Sequence, residues 1–162
     1  MSSQNFSEVP GDRKPQESPM QRALELARTA AAAGEVPVGC VITDADGAIV
    51  AEARNETLAL SDPTAHAELL AIRRAGELLG SQRLSGCDLY VTLEPCTMCA
   101  AAISFARLRR LYFGASDEKG GAVESGVRFF RQPTCHHTPE VYGGIGESEA
   151  QQLLKQFFAA RR

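Results

Sequence analysis

The stretch Cys87-Asp88-Leu89-Tyr90-Val91-Thr92-Leu93-Glu94-Pro95-Cys96-Thr97-Met98-Cys99 passes from a short apolar strand, residues 87–93, into a helix that Pro95 opens. Aromatic and β-branched residues suit the strand, and proline suits the first position of a helix. The helix is expected to reach about residue 105. Two cysteines three apart at its start share one face, and the positive end of a helix favours the thiolate that a metal requires. About thirty residues upstream stands His66-Ala67-Glu68. His66, Cys96 and Cys99 are therefore candidate ligands for one zinc ion. Three protein donors leave the fourth tetrahedral position to water, which separates a catalytic zinc from a closed structural one. Glu68 is two residues from His66, and such positions do not share a helix face. That suits a carboxylate addressing the zinc-bound water better than a fourth ligand. A structural zinc clip and a redox Cys-x-x-Cys pair are the alternatives.

Outward from this stretch, the chain alternates strand and helix. Apolar spacing predicts an amphipathic helix over 19–33, ended by Gly34. Residues 36–43 and 48–54 read as a hairpin around Asp44-Ala45-Asp46-Gly47. Asp62-Pro63 is a strong helix start, so a helix is expected over 62–79, stopped by Gly80, with His66 in its first turns. A further strand is expected over 109–114 and a closing helix over 147–160, with loop and one helical turn near 128–131 between them. Strand, helix, strand, helix, strand from residue 48 onward points to an α/β sandwich with parallel pairing near the site. Two helix starts after neighbouring strands converge at one sheet edge, where α/β folds place their sites.

With 162 residues, 44% apolar and 23% charged, the chain fits one compact domain. Residues 1–18, rich in Ser, Gln, Glu and Pro, read as a disordered arm, leaving 19–162 as the domain. No apolar run reaches the roughly 18 residues of a membrane helix, and the amino terminus does not resemble a signal peptide. A cytoplasmic protein is expected. Five cysteines without a secretory signal favour metal binding and free thiols over a disulfide framework. The net charge of −3 does not advertise a nucleic-acid binder. Its distribution is uneven: residues 1–104 carry 8 basic and 14 acidic side chains, residues 105–162 carry 9 and 6. Arg107, Arg109, Arg110, Lys119, Arg128, Arg131, Arg161 and Arg162 could form a basic face for phosphates. An ordinary solvated surface is the plainer reading of the charge alone.

His-x-Glu followed by Pro-Cys-x-x-Cys is the pattern of zinc deaminases, in which the Glu is not a ligand. His66-Ala67-Glu68 with Pro95-Cys96-Thr97-Met98-Cys99 resembles the cytidine/deoxycytidylate deaminase superfamily. The fuller resemblance is to bacterial tRNA-specific adenosine deaminases. It rests on Glu35-Val36-Pro37-Val38-Gly39, Asn55, Asp62-Pro63-Thr64-Ala65-His66-Ala67-Glu68, Leu89-Tyr90-Val91-Thr92-Leu93-Glu94-Pro95-Cys96 and Gly114-Ala115-x-Asp117-x-Lys119, and covers about residues 20–162. The resemblance implies a three-layer α/β/α sandwich with a mixed central sheet. It implies hydrolysis of the wobble adenosine (position 34) of a tRNA anticodon to inosine by a homodimer with one Zn2+ per subunit. By position, His66, Cys96 and Cys99 would bind zinc, Glu68 would shuttle protons and Asn55 would hydrogen-bond the purine. Asp117 and Lys119 would lie on the loop that meets the nucleic acid.

Read from the residues themselves, Asn55 sits at a strand end, where its amide can donate to and accept from a purine edge; a turn-forming Asn is the alternative. Phe157 and Phe158 could stack on bases, yet at helical spacing with Leu153 and Leu154 they read more readily as core. Cys135-His136-His137 imitates a second metal cluster but lacks a further ligand pair nearby. Cys40 and Cys87 read as small buried hydrophobes. Deamination of a free base or nucleoside, such as guanine or cytosine, would use the same apparatus. A zinc-dependent RNA-binding subunit without catalysis is the reading from another class, and Glu68 beside His66 argues against it.

Overall fold

The computed structural model describes residues 16–162. The elements are α1 (Pro19–Ala32), β1 (Gly39–Thr43), β2 (Ile49–Arg54), α2 (Ala67–Leu79), β3 (Asp88–Leu93), α3 (Thr97–Phe105), β4 (Arg110–Ala115), a 3-10 turn (Phe129–Arg131), β5 (Glu140–Tyr142) and α4 (Glu147–Ala159). The strands form one sheet in the order β2-β1-β3-β4-β5. β1 runs antiparallel to both β2 and β3, whereas β3, β4 and β5 are parallel. This is the expected mixed central sheet, with parallel pairing where the two cysteines follow β3.

Alternation along the strands explains the layering. Cys40, Ile42, Leu89, Val91, Leu111 and Phe113 enter one apolar cluster with Leu70, Ala71 and Ala75 of α2 and Ala100 and Ile103 of α3. Val41, Tyr90 and Tyr112 face the other way, packing with Met20, Ala23 and Leu24 of α1 and Ala150 of α4. β1 is buried along its whole length because helices cover both its faces.

Two features differ from expectation. α2 does not begin at Asp62-Pro63. The Asp62 carboxylate instead closes a local turn, accepting from the Thr64 N–H at 2.8 Å and its hydroxyl at 2.7 Å, and the helix starts at Ala67. Gly80 ends it as expected, in the left-handed conformation at φ 63° that glycine adopts without strain. β5 was not anticipated. It has three residues with an exposed-intermediate-exposed pattern, and what secures it is non-local: Tyr142 stacks on Tyr112 with ring centres 5.1 Å apart. The arm expected over 1–18 lies outside the described residues up to residue 15, and Ser18 is the N-cap of α1.

Candidate active site

Two helix starts meet at the C-terminal edge of β3. His66 and Cys96 are the N-cap residues of α2 and α3, both in extended conformation, and neither side chain caps its own helix. The side chains turn toward each other instead. His66 Nδ1 lies 3.6 Å from Cys96 Sγ and 3.6 Å from Cys99 Sγ, and the three donor atoms fall within 4.8 Å of one another. Tetrahedral zinc with Zn–S near 2.3 Å and Zn–N near 2.0 Å separates such donors by about 3.6 Å. The donor set and its spacing therefore fit one Zn2+. Among the described residues this is the one group of His, Cys, Asp and Glu side chains so arranged.

The protonation of the group fits a cation as well. The Cys99 thiol, followed by His66, draws Cys96 down to about 4, while the hydrogen bond to Cys96 and then burial drive Cys99 upward. His66 is raised, chiefly by its contact with Cys96. Glu68 stands outside the cluster. It is 4% exposed, and burial pushes its carboxyl up to about 7.

Because His66 is turned toward the cysteines, the cap of α2 comes from elsewhere. Asn55, at the end of β2, accepts the Ala67 N–H on Oδ1 at 2.9 Å. That bond fixes the amide orientation, since only the oxygen can accept. With Oδ1 engaged by the helix, the NH2 group is the side of the amide that can donate elsewhere.

A cleft of about 660 Å³ opens along the same sheet edge, lined by Val36, Leu93, Ser116, Asp117, Lys119, Leu154, Phe158, Arg161 and Arg162. Asp117 and Lys119 thus share one wall. Phe157 does not belong to it: the ring is 7% exposed and the Arg161 guanidinium covers it at 3.4 Å from the ring centre. Phe158, 49% exposed, is the aromatic residue at the cleft. The helix places adjacent residues about 100° apart, so one faces the core and the other the cleft.

The basic face divides. Arg109 forms a forked pair with Asp88 at 3.0 and 2.8 Å, and Arg110 pairs with Glu140 at 3.0 Å, both at the start of β4. Lys119, Arg161 and Arg162 sit past its far end, roughly 17 Å away at the rise of a strand. Cys135 contacts the Ser104 hydroxyl at 3.5 Å and the His137 carbonyl at 3.2 Å, and His137 Nε2 lies 2.8 Å from the Leu108 carbonyl.

Two buried carboxylates had no role in the sequence reading. Glu35 accepts from the N–H groups of Leu58 and Ala59 and from the Thr57 hydroxyl. Burial alone would raise Glu94, but backbone N–H groups of Asp117, Ser125 and Val123 hold it below the usual carboxylate range. Both lie within the quoted motifs, and acidic residues beside apolar strands are the one signal that could have marked them, since a buried carboxylate needs donors.

An α/β/α sandwich that gathers an imidazole, two sulfurs and a separate buried carboxylate at one sheet edge has the parts for zinc-dependent hydrolysis. Residues 13–115 match the cytidine and deoxycytidylate deaminase zinc-binding region, and the chain belongs to that family. The tRNA-specific adenosine deaminase of Agrobacterium fabrum is 62% identical over 143 residues, 88% of this chain and 93% of the relative. A solved structure from work on A-to-I editing by tRNA:A34 deaminases at the wobble position is 62% identical, with a TM-score of 0.82 over 84% of this chain and 98% of that one. Guanine deaminase from Bacillus subtilis is 36% identical, with a TM-score of 0.60 over 88% of this chain and 91% of that one.

Proposed function

We propose that this chain deaminates the wobble adenosine (position 34) of a tRNA anticodon to inosine by zinc-dependent hydrolysis. The observation that carries the chemistry is the His66, Cys96 and Cys99 cluster with Glu68 buried outside it. The substrate follows the relatives, which are tRNA-specific adenosine deaminases. His66 Nδ1 and the sulfurs of Cys96 and Cys99 would hold the ion. When bound, zinc supplies Lewis-acid activation that brings the pKa of a water from 15.7 to about 7.

Glu68 takes a proton from the attacking water and returns it to adenine N1 as oxygen adds at C6. The second water proton goes to the exocyclic amine, which leaves as ammonia when the C6–N bond breaks. The burial of Glu68 beside the cluster suits a group that both takes and returns a proton. Asn55 donates from its NH2 group to purine N7, the acceptor on that edge. An anticodon loop is already unpaired, so turning the base out costs little. Lys119, Arg161 and Arg162 offer charge to the backbone phosphates around the cleft, and Phe158 offers a ring face.

A homodimer is supported by an apolar groove between α2 and α3 lined by Leu69, Ile72, Met98 and Phe105, the last 73% exposed. Phe105→Glu is expected to yield monomers by light scattering. No described helix is long and apolar enough to cross a membrane. We assign the protein to the cytoplasm, where tRNA is found and the five free cysteines remain reduced.

The test is inosine formation by the zinc-loaded protein on tRNA with adenosine at the wobble position, against free adenosine, guanine, cytosine and cytidine. Inosine in the anticodon with little turnover of the free compounds is the expected result. Turnover of guanine with untouched tRNA would favour the second reading, which the likeness to guanine deaminase supports.

A further inference from the structure

We propose that Glu94 is a positioning residue for the substrate, holding the 116–126 loop, and with it Lys119, against the segment that carries Cys96; this rests on the tRNA reading above. Glu94 is 2% exposed and follows the last residue of β3, where its own N–H donates to the Ala115 carbonyl at 2.8 Å. Its carboxylate accepts from both ends of a loop to which it does not belong. Oε1 takes the Asp117 N–H at 3.0 Å and the Ser125 hydroxyl at 2.9 Å. Oε2 takes the N–H groups of Val123, Glu124 and Ser125 at 3.1, 3.1 and 3.0 Å. An irregular loop packed against the fold has N–H groups that a strand ladder does not use, and leaving them without acceptors is costly.

The backbone closes the same join. The Ala122 N–H donates to the Pro95 carbonyl at 2.9 Å, and Cys96 forms an antiparallel bridge with Gly121. The fit leaves no room for a side chain at Gly121, where a Cβ would stand 2.5 Å from Glu94 Cδ. At the outer turn, Asp117 Oδ1 accepts from the N–H groups of Lys119 and Gly120 at 3.2 and 2.9 Å. Lys119 thus lines the cleft from a turn that Asp117 closes and Glu94 anchors. Asp117 shapes its own turn, whereas Glu94 fixes where that turn sits relative to the metal-binding segment.

An uncharged isostere cannot reproduce this. Glutamine has one acceptor oxygen, and its amide would meet donors at one end of the loop or the other. Glu94 touches no reacting atom, so its loss is read in substrate affinity and not in the chemical step. Glu94→Gln is expected to bind zinc as the wild type does, keep kcat on an anticodon stem-loop within about threefold and raise KM roughly tenfold. Hydrogen exchange on the zinc-loaded full chain reads the loop directly: the amides of Asp117, Val123, Glu124 and Ser125 exchange faster in the variant. Since both residues act through one loop, Glu94→Gln combined with Lys119→Ala raises KM by less than the product of the separate effects. Ser125→Ala removes one donor, gives the same split at smaller amplitude and serves if Glu94→Gln does not fold. Unchanged exchange of the loop amides, loss of zinc, or a fall in kcat with KM unchanged overturns the proposal. A wild-type chain that turns over a free base and spares the stem-loop sinks the tRNA reading instead. In that case the exchange rates, and KM for that base, still decide the role of Glu94.

Discussion

The two connections that deliver the metal donors are built in opposite ways. From β3 to α3 there are only Glu94, Pro95 and Cys96, and the path is short enough for covalent geometry to set it. From β2 to α2 the chain runs from Asn55 to His66, carries Ser61 at φ 48° and exposes Leu58 and Leu60. Its shape comes from side-chain acceptors: Glu35 on Leu58 and Ala59, Asp62 on Thr64, and Asn55 on Ala67. Both end at a helix N-cap whose side chain turns into the His66, Cys96 and Cys99 cluster instead of capping its helix. The difference teaches that a short connection takes its path from covalent geometry and can lend its polar side chain to a distant loop, whereas a long one needs a polar side chain at each bend.

Substitutions in the two connections should therefore fail differently. The largest effect is expected in the short one. Cys96→Ala leaves two of three donors and is expected to lose both bound zinc and turnover; a variant that retains a full complement by elemental analysis would remove Cys96 from the ligand set. Next comes Glu68→Ala, just past the long connection, which should retain zinc while kcat falls roughly 10²–10⁴-fold, or about 3–5 kcal/mol of barrier. Unaltered turnover would exclude Glu68 as the proton carrier.

Asn55 separates the structural and substrate roles of the long connection. Asn55→Asp keeps the acceptor for the Ala67 N–H and deletes the donor, so stability to denaturant should hold while kcat/KM falls about tenfold. Asn55→Ala deletes both and should cost a further ~1 kcal/mol of stability through the lost cap. If the aspartate variant keeps full kcat/KM, the amide does not address the base. The smallest effect is expected for Glu35→Gln. It weakens the hold on Leu58 and Ala59 by about 1–2 kcal/mol and should leave zinc content as it was. Equal stability of the variant and the wild type would show that the loop is shaped by something other than Glu35.

Much of this was legible in the residues. Apolar patterning together with Pro, Gly and turn residues located α1, α2, α3, α4 and four of the five strands, and the His-x-Glu and Cys-x-x-Cys spacings picked out the side chains that now form one cluster. What escaped was non-local. Asp62-Pro63 looks like a helix start because a capping residue and a turn residue have the same chemistry, and the choice between them is made downstream at His66. β5 carries no signal of its own length or pattern. Phe157 and Phe158 are equivalent in sequence, and only the docking of α4 decides which of them is covered.

The sequence by itself determined the zinc-dependent deaminase chemistry, because donor type and spacing are local properties of short segments. It also determined the α/β layering, because burial follows the period of the apolar residues. The tertiary structure alone decided that Asn55 caps the helix His66 does not cap, that Arg109 and Arg110 are paired away from the cleft, and that Glu94 ties a distant loop to the metal-binding segment. A hydrogen bond acts over about 3 Å whatever the number of intervening residues, so those partners exist only once the strands have been brought into register.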